Sequence, residues 1–430
     1  MQILYYPEDK LPLSRLIPMG LQHVVAMFGA TVLAPILMGF NPQTAIFFSG
    51  AGTLIFIAIT RAKVPSYLGS SFAFIGPVLA VTGGMAENVP YALSGIAGAA
   101  VCYAIAAAVT IKYGSKWIDR LMPPVVTGAV VALIGLNLSS SAVSNFLNPD
   151  FRLATGGDAL NLLVAVVTFT VAASVSIYLK GFMRLLPILT GVAAGYALSL
   201  FLGIIPPAGL EAISNAPWVG LPPFITPVLS FRSLLVIAPV FVVLVAENKG
   251  HIAAISGYMK RDLTPHLGRA YLGDAAATFV SAMGGGTPQT TYAENMGVMA
   301  ITRVFSVYNF IAAACIALLL GLCPKFGAVI QSIPAPVLGG VTVILYGLIA
   351  IMGIKIWMDA GVDFCSHKNL IIAGSSIIVS TGLGVKGFTA GGVNIAGIAF
   401  GTVLAVFMNL ALSFGGEDRE ADRQDRGTCA

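Results

Sequence analysis

Charged side chains are scarce in this chain: only 10% of its 430 residues are Asp, Glu, Lys or Arg, whereas 57% are hydrophobic. A soluble domain carries roughly 25% charged residues, so this chain lacks the residues that would cover a water-facing surface. The composition excludes an ordinary soluble enzyme and predicts a membrane protein. The net charge of +5 does not indicate nucleic-acid binding, because the Lys and Arg lie in short segments between apolar runs.

Paired cysteines and recognisable catalytic motifs are also missing. The five cysteines are scattered singly, without a CxxC pair or the spacing of metal ligands. The sequence has no nucleophile–base triad, no HExxH motif and no phosphate-binding glycine loop. We therefore expect no metal, no cofactor and no enzymatic activity.

Long apolar runs fill most of the chain. Since a membrane-spanning helix needs about 20 mostly apolar residues, the sequence predicts an all-α polytopic membrane protein with fourteen transmembrane segments. The stretch 216–230 is rich in proline and is interpreted as an interfacial segment, and the charged residues 415–430 as a disordered cytoplasmic tail. The segments are predicted to begin near Leu16, Thr44, Tyr67, Tyr91, Val125, Leu160, Leu185, Leu234, Ala270, Pro288, Tyr308, Pro334, Asn369 and Gly392.

The distribution of basic residues predicts which side of the membrane each connecting segment faces. With the N-terminus in the cytoplasm, eighteen of the 23 Lys and Arg fall on the cytoplasmic side, four fall in outer loops, and Lys249 lies within a segment. Cytoplasmic loops of membrane proteins carry such an excess of positive charge. The pattern predicts a multi-pass protein of the cytoplasmic membrane with both termini in the cytoplasm.

A short motif recurs in the second half of the chain. Pro124-Val-Val-Thr-Gly128, followed by Gly135-Leu136, reappears as Pro336-Val-Leu-Gly-Gly340, followed by Gly347-Leu348. The two copies open segments 5 and 12 and so divide the chain into two seven-segment repeats. Because seven is odd, the second copy enters the membrane from the opposite side, which gives the inverted repeat of many secondary transporters.

Segments 3 and 10 are both interrupted near their starts. Tyr67–Phe74 and residues 284–295 combine Gly and Pro with Ser, Thr and aromatic residues. These compositions predict short extended strands that lead into half-helices. Since irregular backbone at membrane depth is tolerated only where it lines a protected cavity, we expect the ligand site there.

Several ionisable residues lie inside these apolar segments. Glu247 and His251 are four residues apart, on one helical face, and Glu294 follows the interruption in segment 10. Asp274 and His23 lie in segments 9 and 1. A charge at mid-membrane costs about 2.5–3.5 kcal/mol on insertion scales, so this set predicts a functional site.

The polar and aromatic residues together suit a neutral planar ligand. Two carboxyl groups and the backbone N–H groups of the strands match a ring that alternates N–H donors with C=O acceptors, as a pyrimidine dione does. Phe72, Tyr292 and Tyr346 supply aromatic walls. The hypothesis is that Glu247 takes a proton in order to bind the ring and that His251 tunes this proton.

A signature motif links the chain to a known family. Glu294-Asn-Met-Gly-Val-Met-Ala-Ile-Thr-Arg303 matches [QEP]-N-x-G-x4-T-[RKG], including Asn295, Gly297, Thr302 and Arg303. Gly69-Ser-Ser-Phe-Ala-Phe74 and Glu247-x3-His251 add to the match. The chain resembles the nucleobase–ascorbate (nucleobase:cation symporter-2) transporters over essentially its whole length, and is most similar to their bacterial uracil (pyrimidine) permease branch.

The resemblance implies a proton-coupled symporter that imports uracil by alternating access. It implies a core domain made of residues 16–111 and 234–326 and a gate domain made of residues 125–205 and 334–414, with substrate between them and a homodimer formed through the gate domain. It assigns substrate contacts to Glu247, Glu294, the backbone of Phe72 and Ala293, and the side chains of Ala30, Tyr292 and Tyr346. It places His251 and Ser71 in the proton-coupling network, with Asp274 and His23 as further candidates.

Other functions stay open at this point. A purine permease for xanthine or urate is the nearer alternative, although Glu294 and His251 favour uracil. An anion transporter with the same seven-plus-seven architecture is the alternative from another class, and Glu294 argues against it.

Overall fold

The computed structural model describes residues 3–147, 156–180, 183–184, 186–385, 387–390 and 393–414. The described residues are mostly helical and include four three-residue strands. The first half comprises α1 (Leu13–Met38), α2 (Pro42–Ile59), β1 (Leu68–Ser70), α3 (Ile75–Thr82), α4 (Val89–Tyr113), α5 (Lys116–Leu121), α6 (Pro124–Asn137), α7 (Ser139–Ser144), α8 (Gly156–Tyr178), α9 (Pro187–Phe201) and α10 (Pro207–Asn215).

The second half begins after a stretch without regular secondary structure over residues 216–230. It comprises α11 (Phe231–Ile237), α12 (Phe241–Met259), α13 (Leu267–Met283), β2 (Gln289–Thr291), α14 (Ala293–Thr302), α15 (Val307–Gly321), α16 (Pro324–Gln331), α17 (Ala335–Asp359), α18 (His367–Leu383), β3 (Phe388–Ala390), β4 (Val393–Ile395) and α19 (Gly397–Phe414).

Local sequence accounts for many of the helix ends. Asn41 caps α2 by accepting hydrogen bonds from the N–H groups of Gln43 and Thr44, and Pro42 occupies the first helical turn, where no N–H donor is needed. Gly39 ends α1 with φ of 80°, a left-handed conformation that glycine adopts without steric cost. Such caps let one helix follow another after only a few residues.

Seven helices of the described chain are long and apolar enough to cross a membrane, or eight if the bent pair α15–α16 counts as one span. This indicates a multi-pass membrane protein. Each of the fourteen predicted segments begins within a few residues of the start of a helix or strand, although the predicted starts Leu185 and Gly392, like the predicted tail 415–430, lie outside the described residues. Several of these helices are too short to meet the length criterion, so the count of fourteen stays a prediction.

The helices pack in two groups. In one group α2 packs against α13 and α15, α1 packs against α15, and α4 packs against α13. In the other group α17 packs against α6 and α8, and α18 and α19 pack against each other and against α6. The groups meet where α1 touches α9, α3 touches α19, and α12 touches α6.

The repeated motif lies at the centre of the second group. The backbone of α17 passes so close to Gly135 of α6 that a Cβ at this position would lie 2.6 Å from the Ala350 nitrogen. Only glycine therefore fits at this contact. The Trp357 indole N–H of α17 donates to the Val125 carbonyl of α6 over 3.0 Å. The two helices that carry the repeated motif therefore pack directly on each other.

Candidate functional site

Two strands cross at the centre of the first helix group. β1 and β2 pair antiparallel, with Leu68 opposite Thr291, Gly69 opposite Thr290, and Ser70 opposite Gln289. Two further backbone bonds extend the pair, from Ser71 N–H to Pro288 O (2.9 Å) and from Tyr292 N–H to Tyr67 O (3.1 Å). Both strands are fully buried and lie in the interrupted segments 3 and 10.

Tyr292 holds the first strand in place. A Cβ at Gly69 would lie 2.5–2.6 Å from the Tyr292 ring, so only glycine fits beneath that ring. The Tyr292 hydroxyl donates to the Ser70 carbonyl (3.1 Å) and accepts from the Thr31 hydroxyl of α1 (3.2 Å). Its ring therefore packs on the strand backbone, and its hydroxyl is engaged by the protein.

On the outer edge of each strand, a backbone N–H group donates a hydrogen bond to a threonine hydroxyl from a neighbouring helix. The Leu68 N–H of β1 donates to Thr53 Oγ1 of α2 over 2.9 Å. In the same way, the Gln289 N–H of β2 donates to Thr278 Oγ1 of α13 over 3.0 Å. These bonds remove the cost of leaving strand donors unpaired in an apolar core. Both halves of the chain use the same device.

Each strand leads into a helical N-terminus. A single turn at Phe72–Phe74 precedes α3, and α14 begins at Ala293 directly after Tyr292. The first N–H groups of a helix have no intrahelical acceptors and carry partial positive charge, so both ends are suited to bind carbonyl oxygens. Glu294 lies in the first turn of α14, a position that favours an acidic side chain.

The two predicted carboxyl groups come together beside the strands. Glu247 on α12 and Glu294 on α14 are both half-buried, and their carboxyl groups are close enough to interact electrostatically. Glu247 Oε2 is buried and has no hydrogen-bond partner among the described residues, and the same holds for Ser71 Oγ and Tyr346 Oη. A buried polar atom without a partner is costly, which suits atoms that bind a ligand.

His251 is joined to the second strand. Its Nδ1 atom lies 2.8 Å from the Thr291 hydroxyl of β2. This contact connects α12, which also carries Glu247, to the strand pair.

The second helix group contributes an aromatic wall. Tyr346 of α17 is buried, and its ring packs edge-to-face on Phe72 with the ring centroids 6.3 Å apart. Ala30 is fully buried on α1, next to the Thr31 that bonds Tyr292. The aromatic side chains at the start of α3 and in α17 thus face each other across the two groups.

Asp274, Asn295 and His23, which the sequence also singled out, form hydrogen bonds between the helices around the two carboxyl groups. Asp274 on α13 accepts a hydrogen bond from the Asn248 amide and lies within electrostatic reach of Glu247. Asn295 of the signature motif donates to the His23 carbonyl of α1 over 3.1 Å, and its amide is equally close to His23 Nδ1. These contacts tie α12 to α13 and α14 to α1.

The remaining signature residues shape the end of α14. Thr302 donates back to the Val298 carbonyl (2.8 Å), and Arg303 ends the helix in a left-handed conformation with φ of 59°. A Cβ at Gly297 would meet nothing within 4 Å.

Sequence reasoning missed Thr53, Thr278, Thr291 and Thr31. Each is a threonine in an apolar helix or strand, and sequence spacing does not reveal its distant partner.

The sequence analysis also did not predict the pairing of β3 with β4. A sequence signal for it was present, because Phe388-Thr-Ala and Val393-Asn-Ile flank a Gly-Gly pair, a common sequence for a two-residue hairpin loop.

Comparison with known proteins decides the family. Residues 14–388 match the model described as "Permease family". The chain belongs to this permease family. The permease is 44% identical over 415 residues to "Putative pyrimidine permease RutG" of Escherichia coli K12, covering 95% of this chain and 91% of that protein. It is 37% identical over 407 residues to "Uracil permease" of Paenibacillus larvae, covering 94% and 95%.

Solved structures show the same fold at low sequence identity. The permease aligns with the structure of SLC26A9 with a TM-score of 0.65 and 11% identity, over 96% of this chain and 67% of that one. It aligns with the transmembrane domain of the cyanobacterial bicarbonate transporter BicA with a TM-score of 0.62 and 14% identity, over 93% and 97% of the two chains. The permease therefore folds like these seven-plus-seven transporters.

Proposed function

We propose that this permease is a proton-coupled symporter that imports uracil or a closely related pyrimidine nucleobase across the cytoplasmic membrane. One observation carries the proposal: Glu247 and Glu294, from two different helices, lie together beside a break in the membrane-embedded backbone. The relatives named as uracil and pyrimidine permeases support the substrate class.

The geometry matches the hydrogen-bonding pattern of a pyrimidine dione. The carboxyl groups of Glu247 and Glu294 accept from ring N–H groups, and the backbone at Phe72 and Ala293 donates to ring oxygens. Ala30, Tyr292 and Tyr346 pack on the faces of the ring, and Phe72 adds an aromatic wall. Glu247 takes up a proton with substrate, and His251, Ser71, Asp274 and His23 form the network around that proton.

The two helix groups support transport by alternating access. Residues 16–111 and 234–326 form a core that holds the substrate, and residues 125–205 and 334–414 form a gate against which the core moves. This assignment includes fourteen spans in two inverted repeats, both termini in the cytoplasm, and a homodimer through the gate. The antiparallel pairing of β1 with β2 supports inversion, since a two-fold axis between two halves in the membrane plane reverses equivalent strands.

The decisive test is uptake of radiolabelled uracil into proteoliposomes under an imposed pH gradient. Wild-type protein should accumulate uracil when the outside is acidic. Glu247→Gln keeps the shape of the side chain but cannot take up a proton, so it should abolish accumulation driven by the gradient. Proton-driven uptake in that variant at the wild-type level would contradict the proposal.

Two further measurements separate the alternatives. Competition of labelled uracil by thymine, xanthine and urate distinguishes a pyrimidine from a purine permease. The likeness to the bicarbonate transporter makes anion transport the second candidate, and flux of chloride, bicarbonate or sulfate without uracil uptake would favour it.

A further inference from the structure

A separate cavity opens at the end of α4, apart from the strand crossing. It has a volume of about 480 Å³ and lies between the last turn of α4 with its following loop and the first turn of α13 with its preceding loop. Thr110 and Ser115 line one side, and Thr264, His266 and Arg269 line the other. None of these residues belongs to the proposed transport site.

The cavity carries excess positive charge. Arg269 and His266 are half-buried in its wall, and Lys63 and Arg261 are close enough to act on His266. Burial lowers the pKa of His266, and Arg269, Lys63 and Arg261 lower it further, with Asp262 acting in the opposite direction. Asp262 also lines the cavity, and its carboxylate accepts from the Thr264 N–H over 2.8 Å. Arg261 is paired with Glu8, and the other two cations, Arg269 and Lys63, outnumber Asp262.

An apolar track leads along α4 to the cavity. Val101, Ala104, Ala108 and Ile111 are spaced three or four residues apart and so lie on one face of the helix, and Val101 and Ala108 are exposed. Ile111 is 54% exposed and also lines the cavity. A cationic cavity at the end of an exposed apolar track has the two parts that a phospholipid needs, one for its phosphate and one for an acyl chain.

We propose that this cavity binds the phosphate group of an anionic membrane lipid, with Arg269 as the main donor and the α4 track holding an acyl chain. Arginine suits this role because its planar guanidinium donates two parallel hydrogen bonds to a phosphate. By the predicted orientation the cavity faces the inner leaflet. Basic pockets between helices on the cytoplasmic side are the usual sites for anionic headgroups.

Native mass spectrometry of the purified full-length chain, titrated with phosphatidylglycerol, tests this site. Wild-type protein should bind phosphatidylglycerol more tightly than phosphatidylcholine. Arg269→Gln should weaken phosphatidylglycerol binding by about tenfold, the usual effect of losing a charged hydrogen bond. Arg232→Gln removes one charge from an exposed residue in a predicted outer loop and should bind as wild type does.

A second variant and a competitor make the outcome decisive. His266→Gln alters the same cavity from its preceding loop and should also weaken binding, which guards against a folding defect specific to Arg269→Gln. Inorganic phosphate distinguishes the sources of the phosphate group: if phosphate alone stabilises the protein and phosphatidylglycerol does not, the lipid is the wrong occupant. Equal binding by wild type and both cavity variants, or no preference for the anionic lipid, would overturn the site.

Discussion

One hydrogen bond connects the proposed proton network to the strand pair, and it can be tested with neighbouring threonines. Thr291→Val keeps the size of the side chain but removes the partner of His251 Nδ1. We expect this variant to lower uracil uptake about two- to tenfold, the effect of losing a buried hydrogen bond, and to shift the pH profile of uptake. Uptake measured across a pH series in proteoliposomes gives both quantities.

Thr290 provides the matched control for this prediction. It is also buried, and its hydroxyl has no partner among the described residues. Thr290→Val should therefore leave the pH profile unchanged. If both variants shift the profile alike, the strand in general, rather than the bond to His251, sets the pH response.

At the scale of elements, the pairing of β1 with β2 depends on the absence of a side chain at Gly69. Gly69→Ala would bring a Cβ atom to about 2.5 Å from the Tyr292 ring, which is held by Thr31 and Ser70. We expect this substitution to destabilise the protein by about 1–3 kcal/mol, as overpacking of a core does. Thermal unfolding in detergent measures the change.

Gly250 on α12 gives a control for that substitution. A Cβ at Gly250 would meet nothing within 4 Å, and the residue is helical. Since alanine favours a helix by up to about 1 kcal/mol over glycine, Gly250→Ala should leave the stability unchanged or raise it. A Gly69→Ala protein as stable as wild type would mean that Tyr292 does not fix the strand.

The N-terminal segment, residues 3–12, is attached to the end of α14, and this attachment can be tested. Leu4 N–H donates to the Arg303 carbonyl and Phe305 N–H to the Tyr5 carbonyl, so the segment runs along the end of α14. Glu8 forms an ion pair with Arg261 at 3.0 Å. Partial burial raises the pKa of Glu8, whereas the hydrogen bond and positive charge of Arg261 and the charge of Lys63 lower it. The lowering effects are larger, so the pKa of Glu8 lies below its ordinary value.

The sign of the pH effect follows from this lowered pKa. The ion pair contributes its full stabilisation above the ordinary carboxyl pKa of 4.5 and loses it as the pH falls through the lowered value. For an exposed pair the contribution is at most about 1 kcal/mol. Hydrogen exchange of residues 3–12 should therefore accelerate in acid relative to Glu8→Gln measured at the same pH. A constant ratio between the two proteins would exclude this role for Glu8.

The sequence predicted the interruptions in segments 3 and 10 because Gly, Pro, Ser and Thr are unusual at the start of an apolar helix. It placed Glu247, His251 and Glu294 near one site because burying each ionisable side chain in lipid costs free energy. It did not predict which residues hold the strands, because Thr53 and Thr278 act through bonds to backbone that is distant in sequence. Nor does spacing show that Tyr292 lies on Gly69, since that contact joins the two halves.

At the scale of the whole molecule, transport by alternating access requires the two helix groups to move against each other. Gly76 on α3 and Ala396, directly before α19, lie on opposite sides of their contact, and a Cβ at Gly76 would lie 3.9 Å from the Ala396 Cβ. This separation suits a disulfide bond, whose Cβ atoms lie about 3.8 Å apart. The double variant Gly76→Cys/Ala396→Cys should therefore lose uracil uptake under an oxidant and regain it under a reductant.

Single variants control for the natural cysteines, which include Cys102, Cys315 and Cys323. Gly76→Cys or Ala396→Cys alone should transport equally well with oxidant and with reductant, because among the described residues no natural cysteine lies within 4 Å of a Cβ at Gly76. The cross-link should also leave uracil binding measurable in detergent, since it holds Tyr346 of the second group in its place beside Phe72 of the first. Full uptake in the oxidised double variant, with the disulfide verified by mass spectrometry, would mean that α3 and α19 move together and that the boundary between core and gate lies elsewhere.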